Sequence, residues 1–184
     1  MTNDYGLELK FCRQEGPVAV ADGAVISGYA SLFGLADQGG DIVQKGAYAR
    51  SLKRLADKGG SVKMLWQHDP AQPIGVWDEI REDERGLFVK GRLLLDVVRA
   101  REAAALIGAG AIDGLSIGYR TIAAEKDAKG QRLLAELELW EVSLVTFPML
   151  RQARVAAKGD VPEAEDWREL AAVLDTAARM LADR

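Results

Sequence analysis

One cysteine and one histidine stand among the 184 residues, and these two scarcities exclude more than any motif does. Cys12 alone forms no intrachain disulfide framework, no CxxC redox centre and no multi-cysteine zinc site. His68 alone excludes HExxH and other multi-histidine centres, so any histidine-dependent chemistry passes through one residue. No metal or cofactor is therefore expected. No apolar run approaches the ~20 residues of a membrane span. The opening MTNDYGLELKF lacks a basic stretch followed by an apolar core, so it does not read as a secretory signal, and a cytoplasmic location is the expectation.

Positive charge is also lacking. The net charge is −4, and residues 160–184 carry seven acids and three arginines, which leaves 21 acids and 21 bases for the rest. A neutral body with an acidic tail argues against nucleic-acid binding, which depends on concentrated positive charge. Arg50, Lys53, Arg54 and Lys58 cluster on one expected helix and read as a solvated face. Phosphate-binding signatures are missing as well. There is no GxxxxGK[ST], and the nearest GxGxxG begins at Gly108 and Gly110 but meets Asp113 at its third glycine position.

What is present is a β-rich pattern. Short alternating or apolar runs predict strands at 5–11, 24–32, 62–67, 75–81, 87–95, 115–123, 132–147 and 153–157. EDERG (82–86) and KDAKGQ (126–131) read as hairpin turns. Two helices interrupt the strands. One lies near 46–58, with Tyr48, Leu52 and Leu55 on one face and a stop at Gly59-Gly60. The other lies near 97–108, with Asp96 as its N-cap. A third is expected over 160–184, where Asp160 and Glu163 have capping-box spacing and Trp167, Leu170, Ala171, Leu174, Ala178 and Leu181 form a stripe.

The chain thus divides into a body, 1–159, and an acidic amphipathic tail, 160–184. A body of this size buries a sizeable core unaided. The fold class is α+β. Closing six or seven short strands removes exposed edges, so the expectation is a small antiparallel β-barrel with helices packed outside, and a two-sheet sandwich is the other arrangement.

Three polar residues stand out against this scaffold. His68, in MLWQHDPAQPIG, follows an apolar run, and alternation places it with Val62, Met64 and Trp66 on one strand face. Alone it reads as a half-buried histidine at a strand end. Ser116, in GAIDGLSIGYR, points with Gly118 away from Leu115, Ile117 and Tyr119, and alone it reads as a small residue at a tight packing point. Together they suggest more, because a serine hydroxyl becomes a nucleophile when histidine takes its proton, and the imidazole then needs an acceptor on its other nitrogen. AELELWEVSLVTFPML supplies Glu136, Glu138 and Glu141. Nothing around them suggests a sugar cleft. Alternation sends Glu136, Glu138 and Trp140 to one face and Leu139, Glu141 and Ser143 to the other, unless a β-bulge intervenes. Glu141 then interrupts an apolar run, where an ionised carboxylate needs a partner. Read otherwise, it is a carboxylate at a solvated strand edge.

These stretches, in order, resemble the phage prohead (capsid maturation) protease family, whose fold is related to the herpesvirus assemblin serine proteases. The matching segments are ISGYASLFG (26–34), DQGGDIVQKGAYARSL (37–52), VKMLWQHDPAQPIG (62–75), RGLFVKGRL (85–93), GAIDGLSIGYR (110–120) and ELWEVSLVTFP (138–148). No single piece is specific, whereas the ordered set is. The resemblance implies a serine endopeptidase with His68 as base, Ser116 as nucleophile and Glu141 as third member. Assemblins carry a second histidine there, which this chain lacks. Arg151 is a candidate to support the oxyanion, by analogy with the arginine-bearing assemblin loop; read alone it is a solvent-facing arginine.

The implied substrates are the scaffold segment of the major capsid protein and the protease's own chain, cut inside an assembling procapsid in the host cytoplasm. A homodimer is implied, with no nucleic-acid or membrane partner. The source would be a phage, a prophage or a gene transfer agent. The other reading is a catalytically silent β-barrel acting as a scaffold or adaptor of capsid assembly.

Overall fold

A computed structural model describes residues 8–11, 17–21, 24–37, 39–147 and 154–156. Among the described residues, ten strands and two helices follow one another: β1 (Glu8–Phe11), β2 (Pro17–Ala21), β3 (Val25–Leu32), β4 (Asp41–Val43), α1 (Ala49–Asp57), β5 (Lys63–Trp66), β6 (Asp69–Glu82), β7 (Gly86–Leu93), α2 (Val98–Gly108), β8 (Gly114–Lys126), β9 (Arg132–Val145) and β10 (Arg154–Ala156). Arg151 and the expected tail helix over 160–184 lie outside the described residues.

The strands form one sheet in the order β1-β8-β9-β5-β6-β7-β3-β2-β10, with β4 beside β9. It curls into a half-barrel, so that β3 comes against β8. Two features differ from an antiparallel barrel. The β4–β9, β5–β9 and β10–β2 ladders are parallel. The order of pairing ends at β1 and β10, and among the described residues no ladder joins those ends. The helices lie on this sheet, α1 against β9 and β6 and α2 against β6 and β7.

Alternation explains most of the core. Leu115, Ile117 and Tyr119 of β8 face Leu144, Val142 and Leu139 of β9 across the ladder, and all six are buried. Burying each such side chain contributes about 1.5–3 kcal/mol. Tyr48 is fully buried beside α1, and Leu52 and Leu55 pack on the same cluster, the face expected from their spacing.

Both helices end in the same device. Gly59 and Gly110 adopt φ of +62° and +70°, and the following Gly60 and Ala111 N–H groups donate back to Leu55 and Leu106 carbonyls at 2.8 Å. This is the Schellman closure that favours glycine. The helix starts are less regular. Asp96 does not cap α2; Val97 occupies that position, with no side-chain cap. The amide ahead of α1, on Tyr48, donates to Glu82 Oε1 of β6 at 3.0 Å.

Both expected hairpin turns form. In the β6–β7 turn, Asp83 accepts from Tyr29 Oη, Arg81 Nη1 and the Arg85 and Gly86 amides at 2.7–3.2 Å. Burial opposes ionisation, but these donors overcome it and hold the Asp83 carboxyl at about 2. A depressed carboxylate stabilises the fold above its unfolded value near 4 and loses that contribution as pH falls towards 2. Denaturant midpoints measured at pH 4 and pH 2 should therefore fall less for Asp83→Asn than for the unaltered chain.

Candidate active site

The site lies on the face of β8, β9 and β5 that points away from the core. Ser116 and Ser143 are cross-strand partners in the β8–β9 ladder, as are Gly118 and Glu141. Their neighbours Leu115, Ile117, Val142 and Leu144 fill the core, so alternation turns these four the other way. On the far side of β9, Leu65 and Lys63 of β5 continue the two rows.

A bulge produces this arrangement. Gly118 pairs with Glu141 while the adjacent Tyr119 pairs with Leu139, so Trp140 is an extra residue in β9. Before it, Leu137 and Leu139 face the core; after it, Val142 and Leu144 do. The core-facing parity changes at Trp140. Glu138 and Glu141 therefore share the outer face, contrary to the alternation expected from sequence, and Leu139 does not share a face with Glu141 and Ser143. The bulge is supported from both sides. The Leu139 N–H donates to the buried Ser51 Oγ of α1 at 2.9 Å, and Trp77 Nε1 donates to the Val142 carbonyl at 3.2 Å.

Partners, not faces, distinguish the two glutamates. Glu138 accepts from Arg54 and Arg120, and Glu136 from Arg50. Two of the four basic residues on this face, Arg50 and Arg54, are thus tied to acids of β9, while Lys53 pairs with Asp57 of its own helix. Glu141 instead bonds His68, with Oε1 2.5 Å from Nδ1, and both side chains are about nine-tenths buried.

His68 reaches Glu141 because the chain turns early. Trp66 pairs with Asp69, leaving Gln67 and His68 as a two-residue hairpin loop with φ of +52° and +62°. Positive φ at both central positions marks a type I′ turn, usually made by Asn-Gly or Gly-Gly. Side chains with a Cβ are disfavoured there by about 1–3 kcal/mol each. The turn removes His68 from the Met64–Trp66 face on which alternation had placed it and carries its ring onto the outer face.

Ser143 completes the arrangement, and its part was not foreseen. Its Oγ donates to Glu141 Oε2 at 2.5 Å and accepts the His68 backbone N–H at 3.2 Å. Its position two residues after Glu141 on an alternating strand was the available signal. Glu141 is thus hydrogen-bonded at both oxygens, to His68 Nδ1 and Ser143 Oγ. An imidazole that donates from Nδ1 keeps its lone pair on Nε2, the atom that can act as a general base.

Gly118 makes room for the carboxylate. A Cβ there would overlap Glu141 Oε1 and sit 2.8 Å from its Cγ and 2.9 Å from its Cδ. Gly118→Ala should displace Glu141 from His68 and lower turnover about 10²-fold, the scale of a 1 Å misplacement. Steady-state assays beside a melting curve check this: wild-type turnover in the folded variant would show that Glu141 needs no such clearance.

Two clefts flank Trp140. One, of about 230 Å³, is lined by Lys63, Leu65, His68, Pro70, Gly118, Trp140 and Glu141, and is mostly apolar. The other, of about 270 Å³, runs between α1 and β9 past Arg54, Lys63 and Glu138. Among the described residues, no three His, Cys, Asp or Glu side chains converge as a metal site requires, and no helix is long and apolar enough to cross a membrane.

Comparison with known proteins adds to this geometry. The prohead protease of Enterobacteria phage HK97 is 33% identical over 151 residues; the match covers 79% of this chain and 65% of that protein, less than two thirds of its length. The bacteriophage T4 capsid assembly protease superposes with a TM-score of 0.61 at 16% identity, over 76% of this chain and 96% of that one, which shows a shared fold. The varicella-zoster virus protease gives only 0.38 at 14% identity, over 69% of this chain and 60% of that one, a likeness that decides nothing. The model of the caudovirus prohead serine proteases matches residues 12–166, and the chain belongs to that family.

Proposed function

We propose that the chain is a serine endopeptidase of capsid maturation, with Ser116 as nucleophile, His68 as general base and Glu141 as the acid that orients it. The 2.5 Å pair between His68 Nδ1 and Glu141 Oε1, on the sheet face that Ser116 shares, carries this reading. Ser116 Oγ attacks the scissile carbonyl while His68 Nε2 takes its proton, and Glu141 stabilises the imidazolium that forms. The imidazolium then protonates the leaving amine. Water, deprotonated by the same imidazole, releases the acyl group and regenerates the serine. Backbone N–H groups stabilise the oxyanion of each tetrahedral intermediate, and Arg151 is our candidate to support them.

The substrates in this reading are the scaffold segment of the major capsid protein and the protease's own chain, inside an assembling procapsid in the host cell. The genome of origin is a phage, a prophage or a gene transfer agent. Ser116 is fully buried, so a peptide must displace whatever covers it before attack. Activation on assembly, through a homodimer, suits an enzyme whose resting form keeps its nucleophile enclosed. In this reading 160–184 is a separable tail on a catalytic body.

The test is incubation of the chain with the major capsid protein under assembly conditions, followed by mass spectrometry of the products. The unaltered chain should release the scaffold segment and Ser116→Ala should not. Equal cleavage by both rules out the serine mechanism, and cleavage by neither favours the silent scaffold or adaptor.

A further inference from the structure

The carboxylate and imidazole of the pair are held by a third group. Glu141 must present Oε1 to His68, yet the terminal torsion of a glutamate is broad and a single hydrogen bond leaves its carboxylate plane free to turn. Ser143 supplies the second bond, at Oε2. The same oxygen accepts the His68 backbone N–H, in a turn whose two positive φ values are unfavourable for residues with a Cβ. One fully buried hydroxyl therefore fixes the acid through its proton and the base through its lone pair. It is also the cross-strand partner of Ser116. The hydroxyl has a single proton, and that proton is directed at Glu141, so Ser143 is already committed within the network.

We propose that Ser143 is a positioning residue, which locks the Glu141 carboxylate plane and the His68 turn in the geometry that proton transfer from Ser116 requires. This rests on the assignment of Ser116, His68 and Glu141 under Proposed function, and it adds a fourth member that acts only through two of them. The role makes a specific demand. Losing the hydroxyl should impair the chemical step and leave peptide binding nearly untouched.

Turnover of a capsid-derived peptide should be measured for the unaltered chain, Ser143→Ala, Ser143→Thr and Ser116→Ala, each with a melting curve. Ser143→Ala should lower kcat about 10–100-fold with KM within about twofold, the pattern of misplaced catalytic groups. Ser143→Thr, which keeps the hydroxyl, should recover most of the loss. The single histidine allows a second readout. With ¹⁵N-histidine, the Nδ1 proton shared with Glu141 should give one downfield resonance, lost or shifted upfield in Ser143→Ala and restored in Ser143→Thr. If the alanine variant does not fold, Ser143→Cys, a weak donor of similar size, should show a reduced kcat and a shifted resonance. A folded Ser143→Ala, or in its place Ser143→Cys, with unchanged kcat and resonance overturns the proposal. So does a kcat that falls only with the folded fraction while the resonance stays put. Full turnover by Ser116→Ala would instead overturn the catalytic assignment itself, so the two failures are distinct.

Discussion

Ser116→Ala is expected to fold normally and to lose cleavage almost entirely, by about 10⁶-fold if the residues act as a unit. The change removes one hydroxyl from a fully buried position whose backbone stays paired with Ser143 and Phe11, so it leaves only a small void. The hydroxyl is the atom on which the proposed chemistry depends. His68→Ala should lose a comparable amount, because without a base the hydroxyl keeps its proton. The double variant should be hardly worse than either single one. Product accumulation over long incubations, at matched folded protein, measures all three. Independent, additive losses would mean that the two residues do not work together.

Glu141→Gln should lower turnover about 10²–10⁴-fold, while Glu138→Gln should be nearly neutral. The glutamine keeps the shape and can still accept from His68 Nδ1, but it carries no charge to stabilise the imidazolium. Its amide nitrogen would also face Ser143 Oγ as a donor where the carboxylate accepted. Glu138 is committed elsewhere, bridging Arg54 and Arg120 at the edge of the α1 cleft. Such partly exposed pairs contribute little to stability. The opposite pattern, an inactive Glu138→Gln beside an active Glu141→Gln, would reassign the acid.

The sequence pointed to Glu141 for a reason that the structure replaces. Strict alternation separates Glu138 from Glu141, but the Trp140 bulge returns both to one face. Nothing in ELWEVS marks that bulge, because its support comes from Ser51, 88 residues away, and from Trp77. What remained legible was chemical: a carboxylate amid apolar neighbours needs a partner. His68 was similarly misplaced on a strand face, since Gln-His lacks the glycine or asparagine by which a type I′ turn is usually read. For β8 alternation sufficed: Leu115, Ile117 and Tyr119 lie in the core cluster and Ser116 and Gly118 do not, as their spacing predicts.

Strand limits failed where short-range signals conflict. β6 begins at Asp69, six residues earlier than expected, because Pro70 and Pro73 read as loop residues. They are accommodated in an irregular β5–β6 ladder with two register shifts. The short β2 and β4 lie among glycines and were not foreseen; their pairing with β3 and β9 holds them. Parallel ladders join segments distant in the chain, so no turn signal announces them. This accounts for the gap between an expected antiparallel barrel and the mixed, curled sheet.

Covalent labelling by a fluorophosphonate probe tests the central claim most directly, because it needs a reactive serine but no knowledge of the cleavage site. The probe, added under assembly conditions and mapped by peptide mass spectrometry, should modify Ser116 alone. Labelling should vanish in Ser116→Ala and fall steeply in His68→Ala. A probe adduct on Ser143 or another serine, or labelling of Ser116 at the same rate without His68, would contradict it.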